Sequence, residues 1–462
     1  MNHMNLPACE IRISDTQYRE LHRHLFPGDR DEHGAVLRAG LCQEGDIVRL
    51  LVRDVIPAQF GSDYVKSHIG YRALTPQFIH KQITSCRDER LVYLAVHNHD
   101  SDQEVAFSQV DLHSHERGYP ALLDIAKGMP VGALVLGKNA MQADLWMPSG
   151  ERRSLSTCTI VGKSIKRLRP ARIQVNGSSP MHDRQMRMFG KAGQVILQQS
   201  KIAVIGLGGV GSIVAEYLAR LGVGHVVLVD DDHMEVSNLS RVVGATTEDA
   251  ISERVKTEVA KRHILEAAPN IQVETITEDT AKESVATRLR MCDYIFLAAD
   301  SMRARLLFNA LVHQYLIPGT QMGAKVRGEP DGSILDAMSA IRHVRPGQGC
   351  LWCNGFIEPT QLAMEVKTEE ERRAQAYGTQ EPNPSVITMN AVAAAHAVND
   401  FLFDFLGLRL EERQTEYLHI HHANPAIKHV RARHDEHCRE CGRDNRSRFA
   451  RGDSIALPTL GT

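Results

Sequence analysis

No apolar run in this chain approaches the ~18 residues that a membrane-spanning helix needs, so a bilayer span is not expected. The opening residues, MNHMNLPACEIRIS, lack a basic stretch followed by an apolar one. A secretory leader is therefore not expected, and the cytoplasm is the expected location. Charge of either sign is not in excess: 54 Lys and Arg face 56 Asp and Glu, a formal net charge of −2. No bulk field draws such a chain to nucleic acid or to an anionic membrane, and neither is an expected partner. Internal repeats and low-complexity segments are lacking as well. Nine cysteines, an odd number without a leader, do not make a disulfide framework. They fit thiols and metal sites in a reducing compartment.

What is present is ordinary globular material in three regions. The 462 residues allow about three domains, and 43% hydrophobic with 24% charged residues suits a soluble protein with a real core. Residues 1–160 alternate short apolar runs (AVLRAGL, DIVRLLVRDVIP, RLVYLAVHNH, VGALVLG, MQADLWMP) with polar turns. Helical stretches are expected near 15–26, 74–84 and 119–127, giving a small α+β domain. Residues 161–180 are basic, end in Gly-Ser-Ser-Pro, and read as a linker. From 181 to 442 strand and helix alternate: KIAVIG, SIVAEYLARLG, HVVLVD, a helix near 252–267, IQVETIT, a helix near 281–291, DYIFLAA. That pattern predicts a Rossmann-like, mostly parallel α/β sheet. Residues 443–462 read as a polar tail with little structure.

KIAVIGLGGVGSIVAEYLARLG is a buried strand, a glycine turn and an amphipathic helix. Gly206, Gly208 and Gly211, with Gly209 among them, fit a G-x-G-x-x-G phosphate loop. Asp230 ends the next strand, where an acid can hold ribose hydroxyls. A nicotinamide cofactor would be the usual guess. The surrounding polar residues argue instead for a triphosphate with Mg²⁺: Asn238 and Arg241 in DDDHMEVSNLSR, Lys256 in SERVKTEVA, Arg184 and Arg187 before the loop, and Asp300 after DYIFLAA. Several cations with an acid stabilise a departing pyrophosphate, which hydride transfer does not require.

GLGGVGS, the D-x-D of Asp230 and Asp232 followed by SNLSR, Lys256 and Asp300 together resemble the adenylation domain of ubiquitin-activating-type enzymes, the ThiF/MoeB/HesA family. The resemblance implies that ATP and the C-terminal carboxylate of a small ubiquitin-like protein give an acyl-adenylate and pyrophosphate. It assigns ribose to Asp230, phosphates to Asn238, Arg241 and Lys256, and Mg²⁺ placement to Asp300. Arg184, in a D-R-Q that matches the family's entrance motif, would reach into the site of a second subunit, which implies a homodimer.

GCLWCNG and HCRECGR supply Cys350, Cys353, Cys438 and Cys441, two C-x-x-C knuckles suited to one closed, structural four-thiolate zinc site. Thioester-forming relatives place a cysteine before the last long helix. Here TEEERRAQAYGTQEPNPSVITMNAVAAAHAV has none, and Cys9, Cys42, Cys86, Cys158 and Cys292 lie elsewhere. The expected product is an adenylate that stays as such or passes directly to another thiol.

AVHNHDSDQEVAFSQVDLHSH offers His97, His99 and Asp111, three ligands that leave a fourth position on a catalytic zinc for water. Ser108 either binds an oxyanion or caps a helix starting near Gln109. His113 and His115 are supporting groups, a further metal site, or surface residues. The stretch resembles the JAMM (JAB/MPN) metalloprotease motif, which implies a general-base glutamate; Glu32 is the match. Three departures stand out: Glu32 is one residue too close to Gly34, Asp100 replaces a proline, and the histidine-to-serine interval is one residue long. The combined expectation is a bifunctional enzyme that adenylates a ubiquitin-like protein and hydrolyses an amide bond beside its C-terminus. The alternative is sulfur-carrier activation for cofactor or tRNA thiolation with an inactive, binding-only JAMM domain.

Overall fold

The computed structural model describes residues 9–65, 73–171, 180–328, 333–365, 384–410 and 416–459. It divides into two units. The first holds the described residues up to 171, with Gln314–Leu316 and Arg448–Ala456; the second holds the rest.

The first unit is a nine-stranded mixed sheet. Its strands are β1 (Cys9–Ser14), β2 (Gly34–Glu44), β3 (Ile47–Pro57), β4 (Val92–Asn98), β5 (Val131–Leu136), β6 (Met141–Trp146), β7 (Arg152–Leu155), β8 (Thr157–Val161) and β9 (Lys166–Leu168), in the order β7-β6-β5-β4-β2-β3-β1-β8-β9. Helices α1 (Asp15–Leu25), α2 (Pro76–Glu89) and α3 (Gln109–Ala126) cover it. Strand alternation divides the core. Val92, Leu94 and Val96 pack with Leu21 and Leu25 of α1, whereas Tyr93 and Ala95 pack with Phe78 of α2 and Tyr119 of α3. By that period His97 continues the α2/α3 face and Asn98 the α1 face.

Three expectations differ here. The helix expected near 119–127 begins at Gln109, the start that the capping reading of Ser108 offered, because Ser108 and Asp111 form a capping box ahead of a polar first turn. β9 lies inside the stretch expected as a linker and pairs antiparallel with β8. Part of the expected polar tail is built into this unit: Phe449 and Ala450 are fully buried, Arg53 donates to the Phe449 carbonyl, and Gly452 bridges to Leu41.

The second unit carries an eight-stranded sheet ordered β12-β11-β10-β13-β14-β15-β16-β17. The strands are β10 (Lys201–Ile205), β11 (His225–Val229), β12 (Gln272–Ile276), β13 (Tyr294–Leu297), β14 (Gly319–Gly328), β15 (Ile334–Val344), β16 (Tyr417–His421) and β17 (Ala426–Val430). The pairings from β12 to β14 are parallel; those from β14 to β17 are antiparallel. The sheet is therefore mixed, with an antiparallel half that the βα alternation did not announce. Its helices are α4 (Asp183–Gln198), α5 (Gly209–Leu221), α6 (Thr247–Ile251), α7 (Lys256–Ala267), α8 (Glu283–Leu289), α9 (Met302–Gln314), α10 (Pro359–Glu365) and α11 (Ile387–Phe405). The apolar α11 packs on α5, β14 and β15.

Candidate functional site

The glycine loop joins β10 to α5. Gly206 has φ +88°, and a Cβ there would stand 2.6 Å from the Ala299 nitrogen. A Cβ on Gly211 would lie 1.7 Å from the Gly206 carbonyl oxygen. Only glycine lets the loop close onto the β13–α9 turn and the helix close onto the loop. Gly208 is the N-cap of α5 and supplies no side-chain cap, so the first N–H groups of the helix remain available to an anion.

Asp230, just after β11, fastens this loop: its carboxylate accepts from the Leu207 N–H at 2.5 Å and the Asp232 N–H at 3.0 Å. Burial pushes the Asp230 carboxyl up, with Lys256 pulling the other way. Lys256 Nζ lies 2.6 Å from Asp232 Oδ2. Asn238 is buried and locks its own turn, with Oδ1 accepting from the Glu235 N–H at 3.3 Å. Arg241 donates to the Ser237 carbonyl at 2.7 Å and has its Cβ against Gly209. Met234, Val242 and Val259, with Leu239, form the small apolar cluster that seats this segment.

Asp300 is exposed at the β13–α9 turn, beside the Ala298–Ala299 pair that touches Gly206. Among the described residues it joins no cluster of metal-capable groups; one oxygen each of Asp230, Asp231 and Asp232 does. Arg184 is exposed on the first turn of α4. Two residues escaped sequence reasoning. Asn390 of α11 has its amide 2.2 Å from where a Gly209 Cβ would stand. The Glu365 carboxylate accepts from the Met302 and Arg303 N–H groups at the start of α9, at 2.8 and 3.0 Å. Neither carries a local motif, since both arrive from distant chain.

The four knuckle sulfurs converge. Cys350 Sγ lies 3.5 Å from Cys353 Sγ and 3.8 Å from Cys438 Sγ, and Cys353 Sγ lies 3.6 Å from Cys441 Sγ. Zinc bound by sulfur at ~2.3 Å has tetrahedron edges of ~3.8 Å, so the donor set fits that ion. Asn354 clasps the two halves, accepting from the Arg433 N–H at 2.8 Å and donating to the Cys350 carbonyl at 2.8 Å.

In the first unit His97 Nε2 and His99 Nε2 are 3.2 Å apart, and each is 3.5 Å from Asp111 Oδ2. A zinc ion at ~2.0–2.1 Å from nitrogen and oxygen spaces its ligands by ~3.4 Å, so this set also fits. Burial would raise the Asp111 carboxyl, but hydrogen bonds from both imidazoles and from Ser108 hold it well below the usual carboxylate range. His99 is raised, first by its bond to Asp111. Ser108 caps α3, and its hydroxyl donates to Asp111 Oδ2 at 2.7 Å. Glu32 Oε1 stands 3.9 Å from His99 Nε2, delivered there because Gly34 of β2 pairs with His97 of β4.

The other two histidines separate. His113 is exposed. His115 is buried between Phe107 and Tyr119, stacked on Tyr119 at 4.7 Å, and burial pushes it down to about 4. It is a neutral core histidine facing away from a metal role. Cys9, Cys42, Cys86, Cys158 and Cys292 are all buried. Most of the cysteine-free stretch before α11, residues 366–383, lies outside the described residues.

A glycine loop on a parallel sheet, with an acid on the neighbouring strand and a helix N-terminus open to phosphate, defines a nucleotide-binding α/β domain. Residues 182–441 match the ThiF family; the chain belongs to it. It is similar to a sulfur carrier protein ThiS adenylyltransferase of Escherichia coli K12, 36% identical over 118 residues, covering 26% of this chain and 46% of that protein. It is also similar to a SAMP-activating enzyme E1 of Haloferax volcanii, 35% identical over 124 residues, covering 27% and 45%. The chain thus spans somewhat under half the length of these relatives. A crystal structure of E. coli MccB with MccA-N7isoASN overlays at a TM-score of 0.47 and 21% identity, covering 57% of this chain and 76% of that one. No described helix is long and apolar enough to cross a membrane.

Proposed function

We propose that the chain adenylates the C-terminal carboxylate of a small ubiquitin-like or sulfur-carrier protein. The observation that supports this most is the gathering of the glycine loop, Asp230, Arg241 and Lys256 inside the stretch that matches the ThiF family. A carboxylate oxygen attacks the α-phosphorus of ATP, the bond to the β-phosphate oxygen breaks, and pyrophosphate leaves. The α5 N-terminus, Arg241 and Lys256 oppose the charge that builds on the departing phosphates. Asp300, at the β13–α9 turn beside the glycine loop, would help hold Mg²⁺, which would neutralise phosphate charge when bound; Asp230 would hold ribose, and Arg184 would serve a second copy's site. With the five cysteines outside the knuckles buried, the product stays an adenylate or passes to an external thiol. The test is pyrophosphate exchange into ATP with a panel of small proteins ending in Gly-Gly. Exchange independent of any of them would sink this reading.

The first unit we assign to zinc-dependent cleavage of an amide bond beside such a C-terminus, in the JAMM manner. His97, His99 and Asp111 would hold the ion, which supplies Lewis acidity and lowers the pKa of water to about 7. Glu32 takes a proton from water and returns it to the departing amine. Ser108 holds the Asp111 carboxylate in position. Cleavage of a partner fused to a short C-terminal extension, assayed with and without chelator, tests it. A chelator-insensitive reaction, or none, would leave this unit as a binding module.

A further inference from the structure

We infer that Arg305 and Arg342 form a subsite for an acidic side chain on the C-terminal tail of the protein that this domain adenylates; this rests on the adenylation reading above. The two half-buried arginines gather at Phe356. Arg342 Cζ lies 4.2 Å from the centre of the Phe356 ring. Arg305 Nη1 donates to the Phe356 carbonyl at 3.0 Å. Tyr417 meets the same ring edge-on at 5.7 Å.

Four buried polar atoms at this place have no hydrogen-bond partner among the described residues: Arg305 Nε, Arg342 Nε, Tyr417 Oη and His419 Nε2. Arg342 Nη1 donates to Gln321 Oε1 at 2.7 Å, so both guanidiniums bond only to neutral acceptors. What stays idle on each is the edge formed by Nε and Nη2, and such an edge grips a carboxylate through two parallel bonds. Burial lowers both arginines, Arg342 to about 10, where the charge of Arg305 is the next cause. Asp300, Glu365 and Glu358 act on Arg305 through space, but Glu365 is taken by the α9 N–H groups. Around Arg342 and His419 the neighbours are basic: Arg305, His421 and Lys428. Paired cations with idle donors and no acceptor call for an anion.

The strand register gives the reach. Ile205, Leu297, Gln321, Arg342 and Tyr417 pair in one row across β10, β13, β14, β15 and β16. Ile205 is the residue ahead of the glycine loop, so Arg342 stands three strands from it, ~14–15 Å at ~4.8 Å per strand. Ser339 and His343 bond to the Met389 carbonyl and to Asp400 of α11, so strand alternation turns Arg342 to the other face. Gly323, Ala340 and His419 form the next row on that face, and a Cβ on Gly323 would meet nothing within 4 Å. The reacting carboxylate must come to the glycine loop. An extended tail, at ~3.3–3.6 Å per residue, covers the distance back to Arg342 in about four residues. A carboxylate there, about four residues before the terminal one, fits both the charge and the span.

The probes are the acetylated peptides Ala-Glu-Ala-Ala-Gly-Gly and Ala-Lys-Ala-Ala-Gly-Gly, titrated calorimetrically into the full chain. The glutamate peptide should bind at least about tenfold tighter, as charge-assisted hydrogen bonds allow. The preference should fall below about threefold in Arg342→Gln and recover in part in Arg342→Lys, which restores the charge without the fork. If Arg342→Gln melts below wild type, Arg305→Gln takes its place. Equal affinity for the two peptides, no binding of the glutamate peptide at millimolar concentration, or an undiminished preference in a variant that melts like wild type overturns the subsite. The adenylation reading is scored apart, by pyrophosphate exchange with the same peptides and with small proteins ending in Gly-Gly. Exchange that runs equally with both peptides removes the subsite alone. A glutamate preference in binding with no exchange from any of them removes the adenylation reading and leaves a site for an acidic peptide.

Discussion

Lys256 Nζ sits 2.6 Å from Asp232 Oδ2, and the carboxylate that holds it is largely exposed while the lysine itself is buried. The pair is an ion pair at the rim of the glycine loop, where a polyphosphate would compete with Asp232 for the ammonium.

Lys256→Ala should therefore lower partner-dependent pyrophosphate exchange by ~10²–10³-fold, as loss of one preorganised charge typically does. Asp232→Ala releases the ammonium and should leave exchange within about tenfold of wild type. The exchange rates of both variants at saturating ATP decide it; equal damage would mean that Asp232 itself meets the nucleotide.

Arg184 gives a prediction about assembly. If it serves a second copy's site, Arg184→Ala and Lys256→Ala are each inactive alone, yet their mixture regains about a quarter of wild-type sites after subunit exchange. A mixture that stays inactive places Arg184 in its own subunit's chemistry or in none.

Glu274 on β12 carries a pH prediction. The His225 imidazole at 3.4 Å, then Lys201 and Arg288, hold its carboxyl down to about 2 against burial, with Arg288 Nε at 2.6 Å and Lys201 Nζ at 3.3 Å. The folded value lies below the unfolded one of ~4.3. Its contribution is thus complete above that value and disappears as pH falls toward 2. Glu274→Gln should be destabilised by roughly 1–3 kcal/mol at pH 7, with the difference from wild type narrowing below pH ~4. Urea melts across pH 3–7 measure it.

The particular residues explain what the sequence made legible. β10, β11 and β13 are uninterrupted apolar runs beside glycine or acid, so local pattern names them. β1 was not readable, although six residues are buried in it, because its partners β3 and β8 are parallel and distant in sequence. The antiparallel strands β16 and β17 are rich in histidine and lysine, and β17 is exposed throughout, so no apolar period marks them. Phe449 lies in RSRFARGD, whose charges suggest solvent, yet it is fully buried and its carbonyl is held by Arg53, nearly 400 residues earlier. His97, His99 and Asp111 were readable as a group because a strand end followed by a capped helix is a local construction. His115 was not, because its fate depends on Phe107, Tyr119 and Trp146 meeting in three dimensions.

The knuckles should hold one zinc per chain. Cys441→Ser should lose that ion and lower the melting temperature, since a closed thiolate site contributes its binding energy to folding. Metal analysis and thermal melts check both. Zinc retained at the wild-type ratio would contradict the four-sulfur site.

The final prediction separates ligand from base in the first unit. His97→Ala and Asp111→Ala each remove a side chain from the convergent set, so both should lose the second zinc and all cleavage of an extended partner. Glu32 is 3.9 Å from His99 Nε2, near enough to serve water at the centre without belonging to the ligand triangle. Glu32→Ala should keep the zinc and lose ~10²–10⁴ in turnover, the usual cost of removing a general base. None of the three should alter pyrophosphate exchange. Zinc content by elemental analysis, cleavage by mass spectrometry and exchange in parallel give the pattern. If Glu32→Ala loses metal along with activity, Glu32 is a fourth ligand and the base must be sought elsewhere. If it cleaves like wild type, proton transfer does not pass through this carboxylate.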